Sequence, residues 1–228
     1  PVSLRSAGIK FSTEHPTSIK GGMVAIYHGT DNQIINTCKR PVQFKKLVFG
    51  LNFLHSIIWA RRRYGSLGWT GEPLWSSSAY NAAVENIRQH LNTSEERNED
   101  IPWKNMQNTI LEMNYGSRVQ ESSDRALIKV LLSTFIVPAI TDDKYNFTSK
   151  EIYLYPTDGV IEPYLIQLPE LDSPEVLGLH DNARVWFQQK EVKNLIQTTQ
   201  FIENKLQRNT ANLLTIVDGT SLFFLLLC

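Results

Sequence analysis

Residues 41–63 hold the feature that most limits what this chain can become. Pro41 suits the first turn of a helix, and Phe44, Leu47, Val48, Leu51, Leu54 and Ile58 then recur at i, i+3 and i+4 spacing. Phe49, Phe53 and Trp59 widen that stripe, which predicts a helix buried on more than one face. Arg61-Arg62-Arg63 fall in its last turn, where positive charge suits the negative end of the helix dipole. Gly65 follows as a left-handed stop.

Three further helices are expected to surround it. Ser76 to Ser78 offer N-caps for one that carries Tyr80, Ala83, Val84, Ile87 and Leu91 on a single face. The polar run Asn92–Asp100 reads as an exposed connection, and Pro102 then opens a helix burying Trp103, Met106 and Ile110. Asn114-Tyr115-Gly116-Ser117 reads as a turn. Ser123 or Asp124 caps the next helix, with Leu127, Val130, Leu131 and Phe135 inward and Pro138 ending it. Short connections between four such helices predict a bundle over roughly 41–137. Residues 1–40 read as irregular, interrupted by Gly8, His15-Pro16 and Gly21-Gly22.

From about residue 140 the pattern changes. Ile152-Tyr153-Leu154-Tyr155 before Pro156 and Asp158-Gly159 reads as a short strand entering a turn. Pro163, Pro169 and Pro174 mark a mostly irregular stretch. A helix is expected over about 185–207, with Val192, Leu195, Ile196, Thr199, Ile202 and Leu206 aligned. Leu213–Val217, Asp218-Gly219 and Leu222–Leu227 resemble a hairpin.

The chemistry sought in the sequence is mostly missing. Lys+Arg and Asp+Glu both number 23 among 228 residues, so there is no basic excess for nucleic acid. Leu222–Cys228 is too short an apolar run to span a bilayer. Cys38 and Cys228 form neither a disulfide framework nor a cysteine zinc site. There is no GxxxxGK[ST] or GxGxxG loop to cradle phosphates, and no GxSxG or HExxH. His15, His28, His55, His90 and His180 are scattered, and His55 reads as a satisfied core histidine. Glu95-Glu96 and Glu99-Asp100 lie in a polar linker, a setting for solvated charge rather than for an acid/base pair. No catalytic, cofactor-binding or metal-ligating residue is assigned. The tryptophans, Phe49 and Phe53 are expected in the core.

Several stretches, in order, resemble the dynein heavy chain family. Pro1–Leu4, Gly8–Lys10 and Glu14-His15-Pro16 are similar to the segment closing the sixth AAA+ module's large subdomain. Lys46–His55 resembles the first long helix of its lid, and Arg61-Arg62-Arg63-Tyr64-Gly65-Ser66-Leu67-Gly68-Trp69 matches a family run closely. Ile101-Pro102-Trp103, Glu112–Val119 and Asp124-Arg125 resemble further lid stretches. Tyr145-Asn146-Phe147, Tyr155–Gly159 and Ser173–Ala183 look like the opening of the family's C-terminal domain. Ser66, Ser117 and Ser122-Ser123 depart from the family pattern, Val160–Pro169 looks shortened, and the match is lost after about 205.

The resemblance implies a mainly α fold, a helical AAA+ lid bundle followed by the start of a mixed α/β C-terminal domain. Its divisions are 1–16, the tail of an AAA+ large subdomain; 17–140, the lid; and 141–228, the start of the C-terminal domain. It implies a chain cut from a longer, minus-end-directed microtubule motor, itself non-catalytic and force-transmitting. ATP and Mg would be handled in upstream modules, with no cofactor in this chain. Its partners would be neighbouring AAA+ modules, with microtubules reached only through the parent motor and neither nucleic acid nor membrane involved. Phe49-Gly50-Leu51, Phe53-Leu54-His55, Met113–Gly116 and Gly178–Ala183 lean toward axonemal rather than cytoplasmic dyneins. The location implied is cytoplasmic and cytoskeletal, in a ciliary or flagellar axoneme. The alternative is a free-standing helical interaction module without a motor, and a third reading is an enzyme lacking a phosphate loop.

Overall fold

The helix expected from residue 41 runs from Pro41 to Arg61 (α2), and every residue from Lys46 to Arg61 is buried. A helix enclosed on all sides must be wrapped by others, and the rest of the fold supplies the wrapping. The computed structural model describes residues 16–29, 37–71, 75–142, 145–148, 152–156 and 159–225, with side chains in the last helix described as far as Gln207. The described residues divide between one compact unit ending at Asp181 and a second beginning at Asn182.

In the first unit, α1 (Ile19–Gly29), α3 (Ser77–Glu96) and α5 (Ser122–Phe135) pack on α2. α4 (Trp103–Thr109) continues as a π-helical turn (Ile110–Tyr115) and a 3-10 turn (Gly116–Arg118). A 3-10 turn (Pro138–Thr141) follows α5, and α6 (Ile161–Gln167) packs on α1. The second unit is α7 (Asn182–Leu225).

The mainly helical expectation holds. Tyr80, Ala83, Val84, Ile87 and Leu91 of α3 are all buried, as their spacing predicts. Gly65 has φ 54° and ψ −130°, a conformation that favours glycine, and it breaks the 3-10 segment Arg62–Leu67 that follows α2.

Several details differ. Residues 1–40 are not irregular throughout, because α1 lies among them; residues 1–15 and 30–36 lie outside the described residues. Gly22 is what lets α1 approach α2: a Cβ there would stand 2.9 Å from both Cβ and Oγ of Ser56. α3 continues to Glu96 and buries Ser94, so the exposed connection is shorter than expected. Trp103 is only half-buried. Asn114–Ser117 is not a simple turn but the junction of the π and 3-10 turns. α5 is rotated from expectation, with Val130 exposed and Ile128 and Leu132 buried instead.

The expected strand at Ile152–Tyr155 is a single antiparallel bridge between Asn146 and Leu154, with no longer strand among the described residues. Its rings serve packing. Tyr153 stacks on Phe53 at 5.1 Å, Phe147 stacks on Phe135 at 5.6 Å, and Tyr155 and Tyr164 meet Phe49 edge-on. Phe147, Tyr153, Tyr155 and Tyr164, all beyond residue 140, thus pack with the bundle. The stretch punctuated by prolines contains α6, with Pro163 in its first turn, where a missing N–H costs nothing. The expected C-terminal hairpin is replaced by the continuation of α7, which runs through Asp218-Gly219 to Leu225; residues 226–228 lie outside the described residues.

Candidate functional site: the polar anchors of the central helix

An enclosed helix that carries polar side chains must find each of them a partner, because an unmet buried donor costs about 1–3 kcal/mol. Lys46, Asn52, His55, Ser56 and Arg61 are such residues on α2. Apart from Ser56, which bonds within α2, they find partners on different surrounding segments. Lys46 Nζ donates to the Thr141 carbonyl beyond α5 at 2.5 Å. Asn52 Nδ2 donates to the Met23 carbonyl of α1 at 3.3 Å, and Ser56 Oγ bonds back to the Asn52 carbonyl at 2.8 Å. His55 Nδ1 lies 2.9 Å from the Tyr115 hydroxyl, which the π turn delivers into the core. Burial drives the Tyr115 hydroxyl pKa well above its ordinary value, so it stays protonated.

Arg61 ends the helix and gathers the most partners. Its Nε donates to the Gly68 carbonyl at 3.2 Å, and Nη1 donates to the carbonyls of Leu177 and, at 3.3 Å, Gly178. Its guanidinium lies 5.4 Å from the Trp69 ring centroid. Burial lowers its pKa to about 10, opposed by the Asp124 carboxylate, so it remains charged at neutral pH.

The Arg61–Arg63 run is therefore split. Arg61 is buried among carbonyls of other segments, whereas Arg62 is exposed and Arg63 half-buried in the 3-10 segment. Helix-end electrostatics does not account for Arg61.

The loop after α2 is held in the same manner. Trp69 Nε1 donates to the Ile58 carbonyl at 3.1 Å, Trp59 Nε1 to Trp75 at 3.0 Å, and Trp75 Nε1 to Tyr115 at 3.0 Å. Asp124, expected as a helix cap, instead accepts from the backbone N–H groups of Thr70 and Gly71, both at 2.9 Å. The paired carboxylates do not converge. Glu95 pairs with Arg40 and Glu96 with Lys39 at 2.8 Å, tying the end of α3 to the start of α2. The Lys39 contact lowers the Glu96 pKa. Among the described residues, no three His, Cys, Asp or Glu side chains gather closely enough to hold a metal ion. No described helix is long and apolar enough to cross a membrane.

Asp172 gave no signal in the sequence. Its Oδ2 accepts from the backbone N–H of Ile19 at 2.7 Å, closing the start of α1 from 153 residues away. Burial raises its pKa to about 6, against the opposing effects of the Ile19 N–H and Arg63.

Residues 44–183, which hold all these anchors except those on α1 and at Lys39 and Arg40, match the family described as the dynein heavy chain AAA lid domain. The chain belongs to the dynein heavy chain family. It is 34% identical over 203 residues to dynein axonemal heavy chain 3 of Mus musculus, covering 86% of this chain and 5% of that protein. Against dynein axonemal heavy chain 5 of Mus musculus the identity is 32% over 210 residues, covering 90% and 4%. Dynein axonemal heavy chain 8 of Homo sapiens is 28% identical over 206 residues, again 90% and 4%. The chain thus spans only 4–5% of the length of these dynein relatives.

Proposed function

We propose that this chain is a non-catalytic, force-transmitting part of a dynein heavy chain. Its lid packs against neighbouring AAA+ modules and passes rigid-body shifts around a ring whose upstream modules bind ATP and Mg. The parent would be a minus-end-directed microtubule motor of a ciliary or flagellar axoneme. The observation that carries this reading is the enclosure of α2, with polar groups fastened to α1, to the π turn and to the segments at Thr141 and Leu177-Gly178. Such a body shifts as a whole rather than deforming, because packed cores are not continuously deformable. The relatives' names support the axonemal setting.

The assignment of residues 1–16 to the end of a large subdomain, 17–140 to the lid and 141–228 to the start of a C-terminal domain belongs to the same proposal. The test has two parts. The transcript upstream of Pro1 is expected to encode phosphate loops and a stalk coiled coil; a start codon just before Pro1 would instead make the chain a free-standing interaction module. The purified chain is expected neither to turn over ATP above a buffer blank nor to co-sediment with microtubules, and turnover would refute the non-catalytic assignment.

A further inference from the structure

Residues 168–181 cross the bundle without a helix of their own, yet they are fixed at two places. At one, the Asp172 carboxylate accepts from the Ile19 N–H, and Glu170 pairs with Lys20 of α1 at 2.7 Å. At the other, Pro174–Leu179 closes a tight turn. The Leu179 N–H reaches the Pro174 carbonyl at 2.8 Å and the Gly178 N–H reaches Glu175 at 2.9 Å, with Gly178 at φ 66°. This is the pattern of a helix C-terminal cap, and the left-handed residue is a glycine. It leaves the Leu177 and Gly178 carbonyls free for Arg61. Leu168, Val176 and Leu177 are buried along the same path.

We infer that this segment is a strap that couples the docking of α1 to the Arg61 end of α2. Displacement of the chain where it leads into Asn182 is then felt at the first turn of α1. Asp172 adjoins the turn that Arg61 grips, since the next residue, Ser173, already accepts from the Val176 N–H at 3.1 Å, so slack at one pin reaches the other. The strap deepens the reading of the lid as a relay and rests on that reading for its purpose; the coupling itself belongs to this chain alone.

Hydrogen exchange on the 228-residue chain tests it. Asp172→Ala removes the acceptor for Ile19, and Arg61→Lys weakens the grip on Leu177 and Gly178. Each variant is expected to speed exchange at both pins, the α1 amides and the Gly178 and Leu179 amides, by about fivefold or more, the lower end of ordinary site-to-site coupling. Two glycines inserted after Ser173 should sever the link: with that insertion, Asp172→Ala should quicken α1 alone. If Arg61→Lys does not fold, the Asp172→Ala and insertion arms still decide. Local quickening at the mutated pin only, or coupling that survives the insertion, overturns the strap. Neither result depends on whether the parent is a motor.

Discussion

Asp172→Asn should stabilise this chain at neutral pH and leave it unchanged in mild acid. Burial raises the Asp172 pKa from 3.8 to about 6, with the Ile19 N–H and Arg63 opposing. The groups that face it are those two and the Tyr153 hydroxyl, whose own pKa rises to about 12 chiefly through burial and then through Asp172. Lys20 and Glu170 pair beside it, and its Oδ1 has no hydrogen-bond partner among the described residues. An acid whose pKa is higher in the folded state holds a proton that the unfolded chain has already lost. Stability from this group is therefore greatest below about pH 4, falls between 4 and 6, and stays low above 6.

Each pH unit of that window corresponds to about 1.4 kcal/mol, giving a ceiling of ~3 kcal/mol. Partial exposure of the side chain screens this to about 1–2 kcal/mol. Asparagine keeps an oxygen for Ile19 and removes the charge. Urea unfolding should show Asp172→Asn more stable by about 1–2 kcal/mol at pH 7.5 and equal to the parent at pH 4. The other carboxylates are common to both proteins and cancel in the difference. A variant equally destabilised at both pH values would refute the reasoning, since the carboxylate would then be a net contributor to the fold.

Gly22→Ala should cost about 1–3 kcal/mol in urea unfolding by forcing its new methyl onto Ser56, and Ser56→Gly in the same chain should recover part of it. Tyr115→Phe removes the hydroxyl beside His55 Nδ1 and should cost about 1–2 kcal/mol with little change in helix content by circular dichroism. α7 exposes Val192, Leu195, Ile196, Phe201, Ile202 and Leu206, so the isolated chain should self-associate in sedimentation velocity. Ile202→Glu should shift it toward monomer.

Long, strongly periodic helices were legible in the sequence. α3 lies where its apolar spacing puts it, because period and burial agree along it, and α2 lies where its dense apolar run puts it, buried all round. α1 was hidden because Gly21 and Gly22 are poor helix formers read locally. Its stability comes from contacts distant in sequence, with Ser56, Asn52 and Asp172. On α5, Val130 and Ile128 lie two residues apart in an apolar sequence, and only packing on α2 decides which turns inward. The aromatic run Tyr153–Tyr155 has strand-like composition, yet its rings are used to stack on Phe53 and Phe49. Asp218-Gly219 between apolar segments imitates a hairpin, a cue that cannot tell such a turn from a helix running through. The anchors were the least legible part. Arg61 announced itself only as charge at a helix end, and nothing in the sequence linked it to carbonyls 116 and 117 residues away.

That separation sets a waiting time during synthesis. At translation rates of about 5–20 residues per second, the 116 residues between Arg61 and Leu177 take roughly 6–23 s to appear. Through that interval the most enclosed of the described helices is already made but lacks part of its covering. The helices that wrap most of α2 emerge earlier, so it is the Arg61 end of α2 that waits longest for its partners, the Leu177 and Gly178 carbonyls.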